Sequence, residues 1–158
     1  MINGVHHIAV STTDIEATIK FYTEGLGAEL VMEFSWENND TIDGIVGLKS
    51  SAAKQAMLRL GNTHIEVFEY ISPKPKPADP ERTAANHGYT HFCLDVTDIE
   101  SEVKRLEKYG MKFFAKEPLK ETGGIRAIYG RDPNGNIIEL QEVFPNCEFP
   151  IALEQVKK

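Results

Sequence analysis

Two stretches of this chain read almost alike. Residues 7–16 are His-Ile-Ala-Val-Ser-Thr-Thr-Asp-Ile-Glu, and residues 91–100 are His-Phe-Cys-Leu-Asp-Val-Thr-Asp-Ile-Glu. Each begins at a histidine, alternates apolar residues, and reaches Asp-Ile-Glu at the same distance. Each is followed by a helical pattern that stops at a glycine, Gly27 or Gly110. Each half then closes on an Ile-Glu pair inside an apolar run, Ile65-Glu66 and Ile138-Glu139. A repeat at this scale means one supersecondary unit used twice. The distance from His to Ile-Glu differs between the copies, so the halves differ by loop insertions and not in plan.

The repeat sets the organisation: module one at about 5–71, a linker at about 72–88, module two at about 89–144, and an extension from about 145 to 158 that resembles neither half. The linker contains Ser72-Pro73-Lys74-Pro75-Lys76-Pro77-Ala78-Asp79-Pro80. Its prolines remove backbone donors and favour extended chain. At 158 residues, with 41% hydrophobic and 26% charged content, the chain is long enough for one core or two small fused ones. A formal charge of -7 disfavours nucleic acid and anionic membranes as partners. Cys93 and Cys147 lie far apart and form no disulfide framework or CxxC motif. No apolar run approaches the ~18 residues of a membrane span, and the first residues lack a signal-peptide pattern. The expectation is a cytoplasmic protein.

Local patterns fill in the modules. His7 to Ser11 alternates as a half-buried strand does. Asp14 suits a helix N-cap, and Ile15, Ile19, Tyr22 and Leu26 recur at helical spacing. The second module repeats this with Asp98 as cap and Ile99, Val103 and Leu106 as the apolar stripe. Gln55–Leu60 and Thr63–Tyr70 read as strands joined at Gly61-Asn62, a strong hairpin signal. A two-residue turn there sets Met57 opposite Glu66 and Arg59 opposite His64. Ile125–Arg131 and Asn136–Val143 flank the turn sequence Asp132-Pro133-Asn134-Gly135. Ahead of Gln55, Trp36 to Asp40 reads as loop and 43–53 as a short helix.

Strand alternation then has a chemical consequence, because successive side chains face opposite ways. In each of four strands the apolar set can pack on the amphipathic helices. His7, Glu66, His91 and Glu139 then point to the other face. Lone histidines on strands are more often structural; it is the repetition with two glutamates that turns these four into a metal-competent set. His6 has the opposite parity to His7 and reads as structural. His64 reads as a near neighbour of the site or as surface, His87 as solvated, and Cys93 as a small buried hydrophobe ahead of a group approaching the metal from the His91 face. Glu100-Ser101-Glu102 reads as a solvated first helical turn, favoured by the helix dipole. Arg126, after Gly123-Gly124, is a candidate anchor for an anionic substrate oxygen. Trp36, Met57 and Phe68 are candidates for an apolar substrate pocket.

The His-x6-Asp starts, the Ile-Glu strands and the run Asp132-Pro133-Asn134-Gly135-Asn136-Ile137-Ile138-Glu139-Leu140 together resemble the vicinal oxygen chelate superfamily. That group includes glyoxalase I, methylmalonyl-CoA epimerase, extradiol ring-cleaving dioxygenases, and the fosfomycin and bleomycin resistance proteins. The resemblance covers roughly residues 5 to 144. It implies an α+β fold in which two βαβββ modules form a cupped mixed sheet with helices on the outer face. It further implies one divalent metal ion per chain, held by His7, Glu66, His91 and Glu139, a ligand set like that of glyoxalase I. Imidazole and carboxylate donors suit Zn, Ni, Co, Mn or Fe(II) alike. The implied partner is a small-molecule substrate with neighbouring oxygens, and the implied assembly is a homodimer.

The activity implied is that of an isomerase, epimerase or lyase moving a proton next to a carbonyl while the metal stabilises an enolate. Glu139 is the leading base and Glu66 the second. One departure narrows the resemblance. The epimerase places a further glutamate on the strand before the Glu66 strand, whereas here that strand reads Gln55-Ala56-Met57-Leu58-Arg59-Leu60, which argues against methylmalonyl-CoA itself. The alternatives are an Fe(II) ring-cleaving dioxygenase, which would use two histidines and one carboxylate, and a metal-free drug-binding protein of the bleomycin-resistance type.

Overall fold

The computed structural model describes residues 1–148. The chain divides into two compact units, one from Met1 to Ala78 and one beginning at Asp79. The first contains β1 (His7–Ser11), α1 (Ile15–Lys20), β2 (Glu29–Glu37), α2 (Asp40–Val46), β3 (Ala52–Leu60) and β4 (Thr63–Ser72). The second contains β5 (Phe92–Asp95), α3 (Ile99–Lys108), β6 (Lys112–Phe113), β7 (Ile125–Arg131) and β8 (Ile137–Val143). Each unit has its own four-stranded mixed sheet, ordered β1-β4-β3-β2 and β5-β8-β7-β6. In both, the first strand runs parallel to the last and the remaining pairs are antiparallel. The repeat in sequence is thus a repeat in topology, strand for strand.

The helices start where their caps predict. Asp14 accepts from Ala17 N–H and Asp98 from Ser101 N–H, each satisfying a donor that the first helical turn leaves free. Gly27 and Gly110 take φ of 75° and 94° where the chain leaves the helix, a conformation that side chains with a Cβ resist. Past Lys20 the first helix loosens into a π-helical turn over Phe21–Gly25. This wider winding displaces the expected stripe: Phe21 and Tyr22 are buried together, while Ile19 and Leu26 are only half-buried.

One face of each sheet is closed by its helix. In the first unit Ala56, Leu58, Ile65 and Val67 are buried with Ile15 and Tyr22. In the second, Ile128, Ile138 and Leu140 are buried with Ile99, Val103 and Leu106. Each fully buried Leu or Ile contributes about 1.5–3 kcal/mol relative to exposure, which is what commits each strand to its register: a slip of one residue would turn this set outward.

The segment between α1 and β3 departs from expectation. Trp36 lies inside strand β2 and not in a loop, and the following helix spans Asp40–Val46, earlier than 43–53. Asn39 caps that helix by accepting from Thr41 and Ile42 N–H, and Gly47 ends it with φ of 71°. Part of the expected C-terminal extension, residues 149–158, lies outside the described residues. No helix among the described residues is long and apolar enough to cross a membrane.

Candidate metal centre

The two halves build the same small device. Parallel pairing sets Ala9 beside Glu66 and Cys93 beside Glu139. The histidine two residues upstream then shares the glutamate's face and reaches it diagonally. His7 Nε2 lies 3.2 Å from Glu66 Oε2, and His91 Nε2 lies 3.1 Å from Glu139 Oε2. Both carboxylates are mostly covered, at 13% exposure, while the imidazoles are 39% and 26% exposed.

Each imidazole is also held from behind by the residue that precedes it. His6 Nδ1 is 2.9 Å from His7 Nδ1, and Thr90 Oγ1 is 2.8 Å from His91 Nδ1. Engaging Nδ1 leaves Nε2 to face the glutamate, the orientation that a metal-binding histidine needs. The distances fit a cation as well. Two donors bound to one ion at about 2.0–2.2 Å, at tetrahedral to octahedral angles, stand roughly 2.8–3.6 Å apart. Both pairs fall in that range. Among the described residues, no group of three or more His, Cys, Asp or Glu stands in metal-holding geometry, so each unit by itself presents a pair.

The surroundings of the two glutamates differ. Register sets Met57 opposite Glu66, as the two-residue turn at Gly61-Asn62 predicts, and Arg59 opposite His64. The Gln55 amide donates to Glu66 Oε1, so both carboxylate oxygens are engaged. Beyond Glu66 on the same face runs an aromatic wall. Phe34 stacks on Trp36, Trp36 meets Phe68 and Tyr70 edge-on, and Phe68 stacks on Tyr70, with centroids 5.6 to 6.1 Å apart. Trp36 is buried and its Nε1–H donates to Ser51 Oγ at 2.8 Å. Trp36 thus backs the wall, while Phe34, which was not among the expected lining residues, is exposed and presents its ring. Burial, and then the Glu66 charge, raise the Tyr70 hydroxyl above its usual pKa.

Opposite Glu139 stands Tyr129. Its hydroxyl is pushed up to about 12 by desolvation first and then by a hydrogen bond to Glu139 and that carboxylate's charge. Its ring meets His91 edge-on, with centroids 4.9 Å apart. Cys93 flanks Glu139 on the other side. It is exposed and not the buried hydrophobe expected. Desolvation by the atoms around its sulfur, and then Glu139, push its thiol up to about 12, so it stays a thiol.

Arg126 does not join this group. It is paired across the strands with Glu142, on the parity opposite to Tyr129 and Glu139. Its guanidinium donates to Glu100 Oε1 at 2.8 Å, in the first turn of α3, and to Leu119 O. The helix-facing side of β7 thus engages this arginine, away from Tyr129 and Glu139. His64 stacks on His6, with centroids 5.1 Å apart, and His87 is exposed.

Phe34, Tyr70 and Tyr129 were missed by sequence reasoning, whereas the Gly61-Asn62 register already set Gln55 on the Glu66 face. A signal existed for Phe34, since Met32, Phe34 and Trp36 alternate with Glu33, Ser35 and Glu37. Tyr129 needed the register across the Asp132–Asn136 turn.

Comparison with known proteins agrees with this architecture. Residues 4–140 match the family model of the Glyoxalase/Bleomycin resistance protein/Dioxygenase superfamily. The chain is 29% identical over 144 residues to a 2-epi-5-epi-valiolone epimerase from Actinomyces, covering 87% of this chain and 78% of that protein. It is 30% identical over 143 residues to the uncharacterized Escherichia coli protein YaeR, covering 89% and 97%. A glyoxalase-family crystal structure from Bacillus cereus superposes with a TM-score of 0.81 at 24% identity, covering 91% of this chain and 96% of that one. The duplicated four-stranded sheets and the family match lead to one conclusion: this chain belongs to the glyoxalase/bleomycin resistance protein/dioxygenase superfamily.

Proposed function

We propose that this protein is a divalent-metal-dependent isomerase, epimerase or lyase that moves a proton next to a carbonyl group. The observation that carries this reading is the matched pair of His–Glu couples, each with its imidazole Nε2 facing a carboxylate at 3.1 to 3.2 Å. His7, Glu66, His91 and Glu139 are the residues that would hold the ion. When bound, a divalent cation acts as a Lewis acid, stabilising negative charge on a substrate carbonyl oxygen.

The remaining work falls to the chain itself. Glu139 serves as the base that takes the proton from the carbon beside the carbonyl. Its neighbours Tyr129 and Cys93 carry O–H and S–H groups. Those of Glu66 are an amide and a thioether, and the amide holds that carboxylate in place. Glu66 is therefore the steadier ligand and the second choice of base. Met57, Phe68 and Phe34, with Trp36 behind them, would receive the apolar part of the substrate and exclude water from the reacting atoms. A paired glutamate in each half also separates this reading from an oxygenase using two histidines and one carboxylate.

The test begins with protein purified without chelators and its metal content by mass spectrometry. About one ion per chain is expected, lost in Glu66→Ala and His91→Ala. Small α-acidic carbonyl compounds with adjacent oxygens are then screened in deuterium oxide for exchange of the α-proton by NMR. A wild type that holds no metal and gains no thermal stability from Ni, Co, Zn, Mn or Fe(II) would return the fold to simple ligand binding. Oxygen uptake with catechols would favour ring cleavage.

A further inference from the structure

The two glutamates stand at equivalent places, yet the residue directly across the strands from each is different: Met57 faces Glu66, and Tyr129 faces Glu139. A methionine there offers only contact. A tyrosine offers a rigid ring and one hydroxyl donor, and both find employment. The ring packs edge-on against His91 at a centroid separation of 4.9 Å and an interplanar angle of 69°. The hydroxyl lies 3.5 Å from His91 Nε2, which itself stands 3.1 Å from Glu139 Oε2. His91 Nε2, Glu139 Oε2 and the Tyr129 hydroxyl thus converge, while Thr90 holds the opposite edge of the imidazole at 2.8 Å.

We propose that Tyr129 is a positioning residue for the second half of the metal centre, its hydroxyl fixing the Glu139 carboxylate and its ring bracing the His91 imidazole. This rests on the metal-dependent reading given above. The first half obtains the same hold on its carboxylate from a residue one position removed along the sheet, since Gln55, across from Phe68, donates to Glu66. In the second half the position matching Gln55 is Ala127, whose side chain has no donor. Tyr129 supplies the missing one from the facing position. Partners of this kind orient ligands before the ion arrives, and their loss weakens metal binding by about 10- to 100-fold.

Cobalt(II) alone is the probe, because its visible spectrum reports ligand geometry without a substrate. Wild type, Tyr129→Phe and Tyr129→Leu are titrated with cobalt, and the metal-free forms are unfolded in urea. Tyr109→Phe, exposed at the end of α3, is the control. Tyr129→Phe keeps the ring and removes only the hydroxyl. It is expected to raise the cobalt Kd about tenfold and to alter the visible bands, with the urea midpoint of the metal-free protein unchanged. Tyr129→Leu is expected to weaken binding further. Cobalt affinity within twofold of wild type and an identical spectrum in Tyr129→Phe would overturn the role of Tyr129 alone, whatever the effect on stability. A wild type that takes up no cobalt would overturn the metal reading, and the role of Tyr129 with it.

Discussion

The Glu66 half and the Glu139 half share one chain path and one His–Glu geometry, but they have been furnished differently. The first places its glutamate beside an amide, a thioether and four aromatic rings packed together. The second places it beside a phenol and a thiol, with no comparable wall on its strands. A duplicated scaffold can keep what must be common, here the strand register that brings a histidine and a glutamate together. Everything one residue away is free to differ. On the proposed function, the first half would receive an apolar group and the second would exchange a proton.

The sharpest way to break that comparison is to neutralise each glutamate in turn. Glu139→Gln is expected to lower α-proton exchange by about 10³-fold, within the range of a lost general base. Glu66→Gln should cost only about tenfold beyond its effect on metal occupancy. Both are read by NMR in deuterium oxide with saturating metal. Equal losses would mean that the halves do not divide the work. The histidines should show the opposite pattern, because their geometry is the same. His7→Ala and His91→Ala are each expected to release the ion, seen as loss of bound metal after gel filtration, and one variant that kept it would locate the ion on the other half alone.

A smaller effect is expected at the aromatic wall. Phe68→Ala should raise KM about tenfold with kcat nearly unchanged, since a lost ring contact removes about 1 kcal/mol beyond area burial and is felt equally before and during reaction. A fall in kcat would move the wall from binding to chemistry. The smallest concerns the cap of α3. Hydrogen bonds from the Ser101 side chain and backbone hold the Asp98 carboxyl below its usual pKa. A carboxyl depressed in the folded state contributes stability above its unfolded pKa of about 3.9 and loses it as pH falls through the folded value. Asp98→Ala should therefore melt lower than wild type at pH 7, and the gap should close in acid.

Much of this was legible before any coordinates. The repeat gave the duplicated topology, and alternation in four strands gave the faces of His7, Glu66, His91 and Glu139. These signals are strong because burial of Ile65, Val67, Ile138 and Leu140 leaves each glutamate one direction to point. What escaped depended on register or on partners distant in sequence. Trp36 was lost to a loop because Asn38-Asn39-Asp40 follows it, although the alternation before it marks a strand. Arg126 drew attention by its charge, yet Glu100, far back on α3, decides where it goes. Tyr129 carried no local signal, and only pairing across a five-residue turn, Arg131 with Ile137, sets it against Glu139.

Trp36 is the chain's only tryptophan, and its indole sits in the wall with Phe34, Phe68 and Tyr70, its N–H donated to Ser51. Selective excitation of that one indole gives the protein an intrinsic optical gauge on the very sheet face where a ligand beside Glu66 would lie. Emission colour would follow the drying of the wall as an apolar guest arrives. A paramagnetic ion near Glu66 would dim the same signal. Occupancy of the first half can thus be followed in real time, without a label and before any turnover assay exists.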